Sequence, residues 1–314
     1  MGRYAIRRLL QAVPVLLGST LLIFLIVFAL PGDPIVSLGG DRRPSPSVVE
    51  VLTEQYHLDE PLLVQYWHYI GGVLFRADLG STYQGVPVAD LLASTFQVTL
   101  RLTLMALAIE AVVGVGLGVW AALRRGKAVD TMILAATLVL VSVPTLVTGF
   151  VLQLVLGVKL KQWTGLDVFP VSGVGDGLRG YILPAFVLAG LSIAYLARLA
   201  RTSLAEVLRA DYIRTAVAKG MPRGRVITRH ALRNALIPVV TYLGADVGTL
   251  MGGAVITEGI FNLPGLGNLL FRGVYERQQP VVVGVVTLLV LVYIVCNLIV
   301  DMLYAVLDPR IRYE

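Results

Sequence analysis

Little in this chain can do chemistry. Its one cysteine, Cys296, sits inside an apolar run, so neither a disulfide framework nor a thiolate metal site can be built within it. The three histidines, His57, His68 and His230, are too few and too scattered for a protein metal cage, which argues against a metalloenzyme. A phosphate-binding loop of the form G-x-x-x-x-G-K-S/T is also missing: Gly126-Lys127 is followed by Ala128, and Ala121 stands where the first Gly is required. The chain is therefore expected to bind no ATP and to hold no catalytic residue, metal or cofactor of its own. Charged residues are scarce, 15% against 56% hydrophobic, and with a mean hydropathy of +0.79 the 314 residues are too apolar for a soluble domain. The net charge of +6 could suit nucleic acid. No RNA-binding signature or stacking pattern accompanies it, and the Lys and Arg stand beside apolar runs instead.

Long apolar runs are what the chain has. A bilayer core takes about 20 residues at 1.5 Å each. Runs of that size lie near Leu9–Leu30, Thr99–Leu123, Met132–Val158, Ile182–Leu199, Leu236–Thr257 and Val281–Leu303, giving an all-α polytopic membrane protein with six transmembrane helices. The first run follows Arg3, Arg7 and Arg8 and is longer than an ordinary signal core, so it reads as an uncleaved anchor, residues 1–30. With the N-terminus in the cytosol, 17 of the 26 Lys and Arg fall on the cytosolic side. Three precede the first run, three are Arg124, Arg125 and Lys127, nine lie between Arg198 and Arg233, and two are Arg310 and Arg312 in a tail, residues 305–314. That bias predicts cytosolic N- and C-termini.

The largest outside piece, residues 31–98, opens on the turn cluster Pro31-Gly32-Asp33-Pro34 and continues through Asp41-Arg42-Arg43-Pro44-Ser45-Pro46, which does not sustain a helix. Short helices are expected over Val48–Tyr56 and Pro61–Phe75, packed as a small extracytoplasmic cap between the first two spans. Tyr66, Trp67, Tyr69 and Trp163 fall near outer interfaces, where aromatic belts gather.

The cytosolic segment from Arg201 to Arg233, within a loop of residues 201–235, is basic and broken by glycine. Good helix formers run from Leu204 to Lys219, Gly220-Met221-Pro222 stops them, and Arg223 to Leu236 is helix-compatible until Pro238. The expectation is helix, tight turn, helix on the cytosolic surface. Small residues Thr215, Ala216 and Ala218 would let a partner approach closely, and Gly220 permits a backbone conformation that side chains disfavour. On charge alone the segment could equally be an inside loop held near anionic headgroups.

Beyond charge, the segment resembles the EAA loop of binding-protein-dependent ABC importer permeases. The matching stretch is Arg214-Thr215-Ala216-Val217-Ala218-Lys219-Gly220, and its departures from the general pattern are similar to the variant of the dipeptide, oligopeptide and nickel branch. Asp211-Tyr212-Ile213-Arg214-Thr215-Ala216 and Arg229-His230-Ala231-Leu232-Arg233-Asn234-Ala235-Leu236-Ile237-Pro238 carry that likeness. It extends to Arg7-Arg8-Leu9-Leu10, to Leu58-Asp59-Glu60-Pro61-Leu62, and to Asp78-Leu79-Gly80-Ser81. It continues through Glu258-Gly259-Ile260-Phe261-Asn262-Leu263-Pro264-Gly265-Leu266-Gly267 to the tail Leu307-Asp308-Pro309-Arg310-Ile311-Arg312.

What the resemblance implies is a first membrane subunit with the type I ABC importer transmembrane fold, its permease core at residues 95–304. A second homologous permease subunit, two ATPase subunits or domains that hold ATP and Mg, and an extracytoplasmic solute-binding protein would complete it. Asp211, Tyr212, Arg214, Thr215, Ala216, Lys219 and Gly220 would dock the ATPase and couple it to the spans. The implied cargo is short peptides, with nickel chelates or other small solutes as the alternative.

Acids in or near the bilayer must face protein or water. Glu110 and Asp246, with Thr148 and Gln153, could line the translocation path; the two acids could equally make an interhelical hydrogen bond. Gly114 with Gly118, and Gly244 with Gly248 and Gly252, form smooth faces suited either to the partner permease or to packing within the subunit. An ion-coupled secondary transporter working through Glu110 and Asp246 is a rival reading. It commonly shows an internal repeat, which this sequence lacks, and it leaves the basic segment without a role.

Overall fold

The computed structural model describes residues 2–28, 45–55, 57–175 and 177–307. The turn at Pro31–Pro34, the stretch Asp41–Pro44 and the tail after Leu307 lie outside them. Among the described residues the chain is helical, with one isolated bridge, Ser81 to Pro87. The helices are α1 (Gly2–Phe28), α2 (Pro46–Gln55), α3 (Leu62–Arg76), α4 (Val88–Leu123), α5 (Ala128–Ser142), α6 (Thr145–Thr164) and α7 (Arg179–Val207). After them come α8 (Asp211–Ala218), α9 (residues 223–235), α10 (Ile237–Phe261), α11 (Leu266–Tyr275) and α12 (Gln279–Leu307). Six of these, α1, α4, α6, α7, α10 and α12, are long and apolar enough to cross a membrane.

One expected span is broken. The apolar run from Met132 to Val158 was expected as one helix, but it divides into α5 and α6 at Val143-Pro144. Pro144 has no N–H to donate and its ring crowds the preceding residue out of the helical region, so Val143 is extended (φ −93°, ψ 124°). Apolar residues continue through the break, and hydropathy therefore missed it.

The helices differ in how deeply they sit. In its most apolar window α7 is 67% buried, against 17% for α1 and 11% for α6, so α7 is the axis around which the others pack. Its seam with α4 is close because Gly118 lacks a side chain: a Cβ there would stand 2.5 Å from the Ala197 carbonyl oxygen and 2.7 Å from Ala200 Cβ. On the opposite side, a Cβ on Gly248 of α10 would meet the Tyr293 ring of α12 at 2.5 Å. Gly114, Gly118, Gly244 and Gly248 thus serve packing within the subunit, whereas Gly252 faces open space.

The piece between α1 and α4 is less separate than the expected cap. α3 lies against α1 and α12, and Phe24, Tyr66, Ile70, Val282 and Val283 share one core. The Tyr66 hydroxyl donates to the Leu17 carbonyl at 3.0 Å and meets Thr20 Oγ1 at 3.0 Å. Tyr69 bonds Thr287 Oγ1 at 2.8 Å, and burial pushes its phenol up to about 12, which keeps it neutral. Only Trp67 and Trp163 of the four expected belt aromatics face outward; Tyr66 and Tyr69 belong to the core.

Candidate functional site: the basic segment and the buried acids of the bundle

The basic segment departs from a single helix over Leu204–Lys219. α7 ends at Val207, residues 208–210 turn, and α8 begins at Asp211 after an extended Ala210 (φ −67°, ψ 148°). The reason lies in packing. Leu204 and Ile213 are nine residues apart, which on an uninterrupted helix at 3.6 residues per turn sets them on opposite faces. The turn lets both enter one apolar cluster with Ala122, Ala216, Val226, Ala231 and Ala235. Tertiary burial here outweighs local helix propensity.

α8 ends in a Schellman cap. The Met221 N–H reaches the Ala216 carbonyl at 3.3 Å, the Gly220 N–H reaches Val217 at 2.9 Å, and Gly220 holds φ +77°. α9 returns with a wide π turn over Val226–Ala231, which seats Val226 and Ala231 in the same cluster. Two side-chain bonds close the hairpin: Asn234 Nδ2 donates to the Tyr212 hydroxyl at 2.9 Å, and Ser203 Oγ donates to the Ala235 carbonyl at 2.8 Å. Of the expected docking residues, Asp211, Tyr212, Arg214, Thr215, Lys219 and Gly220 are exposed. Ala216 is buried, so it anchors α8 from beneath and presents no surface to a partner; Val217 and Ala218 are exposed in its place. The Arg214–Asp211 pair at 3.5 Å is open to solvent and adds little stability.

A partly buried ion pair that sequence alone did not single out fixes the root of this segment. Arg201 Nε and Nη2 donate to Asp130 Oδ1 and Oδ2 at 2.5 and 2.8 Å, and the Gly126 N–H donates to Oδ2 at 2.9 Å. The Arg201 bonds, helped by Gly126, hold the Asp130 carboxyl at about 2, well below the usual aspartate value. α5 and the 124–127 turn are thereby clamped to the end of α7. The available signal was an acid in the first turn of a helix just after a basic cluster, a favourable place for negative charge.

The four expected path residues do not gather. Glu110 on α4 and Asp246 on α10 meet, with Ser192 of α7 beside them, and are 0% and 5% exposed. Neither Glu110 oxygen nor Asp246 Oδ2 has an aligned hydrogen-bond donor. Gln153 is committed elsewhere, donating to the Val171 and Ile260 carbonyls at 2.7 and 3.2 Å. Thr148 lies half-buried beside the Pro144 break, in a groove with Leu140 and Leu191.

Glu258, part of the outside-turn motif, has a definite task. Fully buried, it accepts from Thr99 Oγ1 at 2.6 Å and from the Gly267 and Asn268 N–H groups at 2.7 and 3.3 Å, while Thr99 accepts from the Leu266 N–H at 2.8 Å. The carboxylate satisfies the open N–H groups at the start of α11 and locks that helix to α4 and α10. Gly265 and Gly267 leave the space it occupies.

Residues 114–313 match the family model described as binding-protein-dependent transport system inner membrane component, and residues 1–103 match its N-terminal membrane component model. Along its whole length the chain is 39% identical, over 339 residues, to the dipeptide transport system permease protein DppB of Escherichia coli, which is also covered in full. It is 40% identical over 315 residues to the glutathione transport system permease protein GsiC of Escherichia coli, again with full coverage of both. Among solved structures, a crystal structure of an amino acid ABC transporter with histidines aligns over 71% of this chain and 95% of its own, with 19% identity and a TM-score of 0.48.

Proposed function

The chain belongs to the family of binding-protein-dependent transport system inner membrane components, and from that membership we propose that it is the membrane-spanning subunit of an ATP-driven importer of short peptides. The observation that carries the cargo class is the full-length similarity to permeases named for a dipeptide and for glutathione, itself a short peptide. Nickel chelates are less favoured by the same likeness. The subunit works in a complex; the partners proposed are a second homologous permease, two ATPase subunits that bind ATP and Mg, and an extracytoplasmic binding protein that delivers the peptide.

The docking surface proposed for the ATPase is the outer face of α8 with its Gly220 turn, built from Asp211, Tyr212, Arg214, Thr215, Lys219 and Gly220 over the buried Ala216. Support comes from its construction: a short helix stapled to α9 and seated on the end of α7, the most enclosed helix. A push on α8 reaches α7 through the packing of Ile213 and Ala216 on Leu204, and the Asp130–Arg201 clamp passes it on from α7 to α5 rather than letting it dissipate in a loop. In the proposed orientation the basic segment and both termini are cytosolic.

Reconstitution in liposomes tests the reading. Assembled with a second permease, ATPase subunits and a binding protein, the chain is expected to support ATP-dependent uptake of labelled di- and tripeptides. Gradient-driven uptake by this chain alone, with no requirement for ATP, would overturn it.

A further inference from the structure

Two histidines that lie eleven residues apart in sequence come together in the piece between α1 and α4. His57 follows α2 at a left-handed position (φ +51°), with the Leu58 N–H bonded to Thr53 and the Glu60 N–H to His57. His68 sits on the second turn of α3. Their rings stack at 4.5 Å, and Glu60 stands between their nitrogens: Oε1 is 3.6 Å from His57 Nδ1, and Oε2 is 3.2 Å from His68 Nε2. Glu60 is held in place, since Gln65 Nε2 donates to its carbonyl at 2.8 Å. Oε2 is shut off from solvent yet has no aligned hydrogen-bond donor, so a buried acceptor faces the histidines unsatisfied. The expectation that the histidines are scattered is thus corrected for this pair.

We propose that His57, Glu60 and His68 form a binding site for a divalent first-row transition cation of the Zn(II) class. Two imidazoles and one carboxylate are a ligand set that Zn(II) accepts, with the remaining position left to water or a small ligand. Calcium and magnesium, which take oxygen shells, do not fit it. The spacing agrees. Bonds of about 2.0–2.1 Å in a tetrahedron put neighbouring donors about 3.3 Å apart. Here one donor atom from each of the three residues lies within 4.8 Å of the others. The stacked rings, 17° from parallel, must turn for their lone pairs to converge, a rotation that half-exposed side chains allow. His57 and His68 line a cavity of 620 Å³ with Phe75, Arg76 and Asp78, which has room for that extra ligand. A bound cation would cross-link the end of α2 to α3 and fix the turn between them.

The test uses the assembled, tag-free importer in nanodiscs, titrated with zinc chloride against a chelating dye and with cobalt chloride followed by visible absorption. Wild type is expected to hold one zinc equivalent more than the His57→Ala/His68→Ala variant, and to develop a cobalt ligand-field band which that variant lacks. Glu60→Gln, which keeps shape, is expected to weaken affinity by about tenfold or more. Hydrogen exchange gives an independent readout: zinc is expected to protect residues 54–68 in wild type only. Equal zinc content in wild type and the double variant, or no zinc-dependent protection of that segment, overturns the site and leaves only surface contacts between Glu60 and the two histidines. Neither result bears on peptide transport.

Discussion

Gly220 carries the turn of the basic segment through backbone conformation alone. A Cβ built there meets nothing within 4 Å, so substitution costs conformational strain, not a clash. For an ordinary side chain at φ +77° that strain is about 1–2 kcal/mol, whereas Asn tolerates the left-handed region. In the assembled importer, Gly220→Val is expected to insert normally but lose most peptide-stimulated ATP hydrolysis, with Gly220→Asn close to wild type. Equal activity of the Val variant would remove the turn from coupling. Asp130 makes a different prediction. Removing it strands Arg201, a loss on the order of 1.5–3 kcal/mol for charge-assisted bonds, so Asp130→Asn lowers the melting temperature at neutral pH. The folded carboxyl titrates at about 2, below its unfolded value of about 3.9, so its contribution is complete above that value and fades as pH falls toward 2. Melting of the purified complex between pH 6 and pH 3 is therefore expected to show a gap between wild type and variant that is widest at the upper end.

Among the elements, α11 depends on a single buried group. Glu258→Ala leaves Thr99 and the Gly267 and Asn268 N–H groups without their acceptor in a dry site, where each orphan costs roughly 1–3 kcal/mol. Thermal unfolding in detergent is expected to show a severe loss for Glu258→Ala and a smaller one for Glu258→Gln, whose carbonyl still accepts. Elements were legible in the sequence to the extent that their causes are local. The number of spans follows from hydropathy, although α4 begins at Val88, inside the expected outside loop and eleven residues before the expected Thr99; the Gly220-Met221-Pro222 stop follows from glycine and proline chemistry. The Pro144 break was written in the sequence too, but an unbroken apolar run masked it. What stayed hidden depends on distant pairs: Thr99 with Glu258, Asp130 with Arg201, and the turn at 208–210 that turns Leu204 and Ile213 to one cluster. No window of sequence contains both members of the first two pairs, and the turn at 208–210 answers to a cluster that also draws on Ala122 and Ala235 from outside its own stretch.

For the whole molecule, the open question is which end faces the cytosol, and the near absence of cysteine makes it measurable. Cys296, partly buried in α12, is the chain's one thiol, so a Cys296→Ala background is silent to thiol reagents. Arg223 opens α9 in the basic segment, and Gln162 lies at the far end of α6; both are exposed. Since α6 and α7 are both long enough to cross a bilayer, the two positions belong to opposite faces whichever way the chain is inserted. The excess of Lys and Arg on the basic side predicts that this side is cytosolic. In intact cells freed of their outer barrier, a membrane-impermeant maleimide is expected to label Gln162→Cys and spare Arg223→Cys, and inverted vesicles are expected to reverse the pattern. The opposite pattern would put α8 on the side away from cytosolic ATP, and the coupling role could not survive it. Accessibility at these two sites therefore tests the positive-inside assignment and the proposed ATPase contact together, without requiring a cargo to be known.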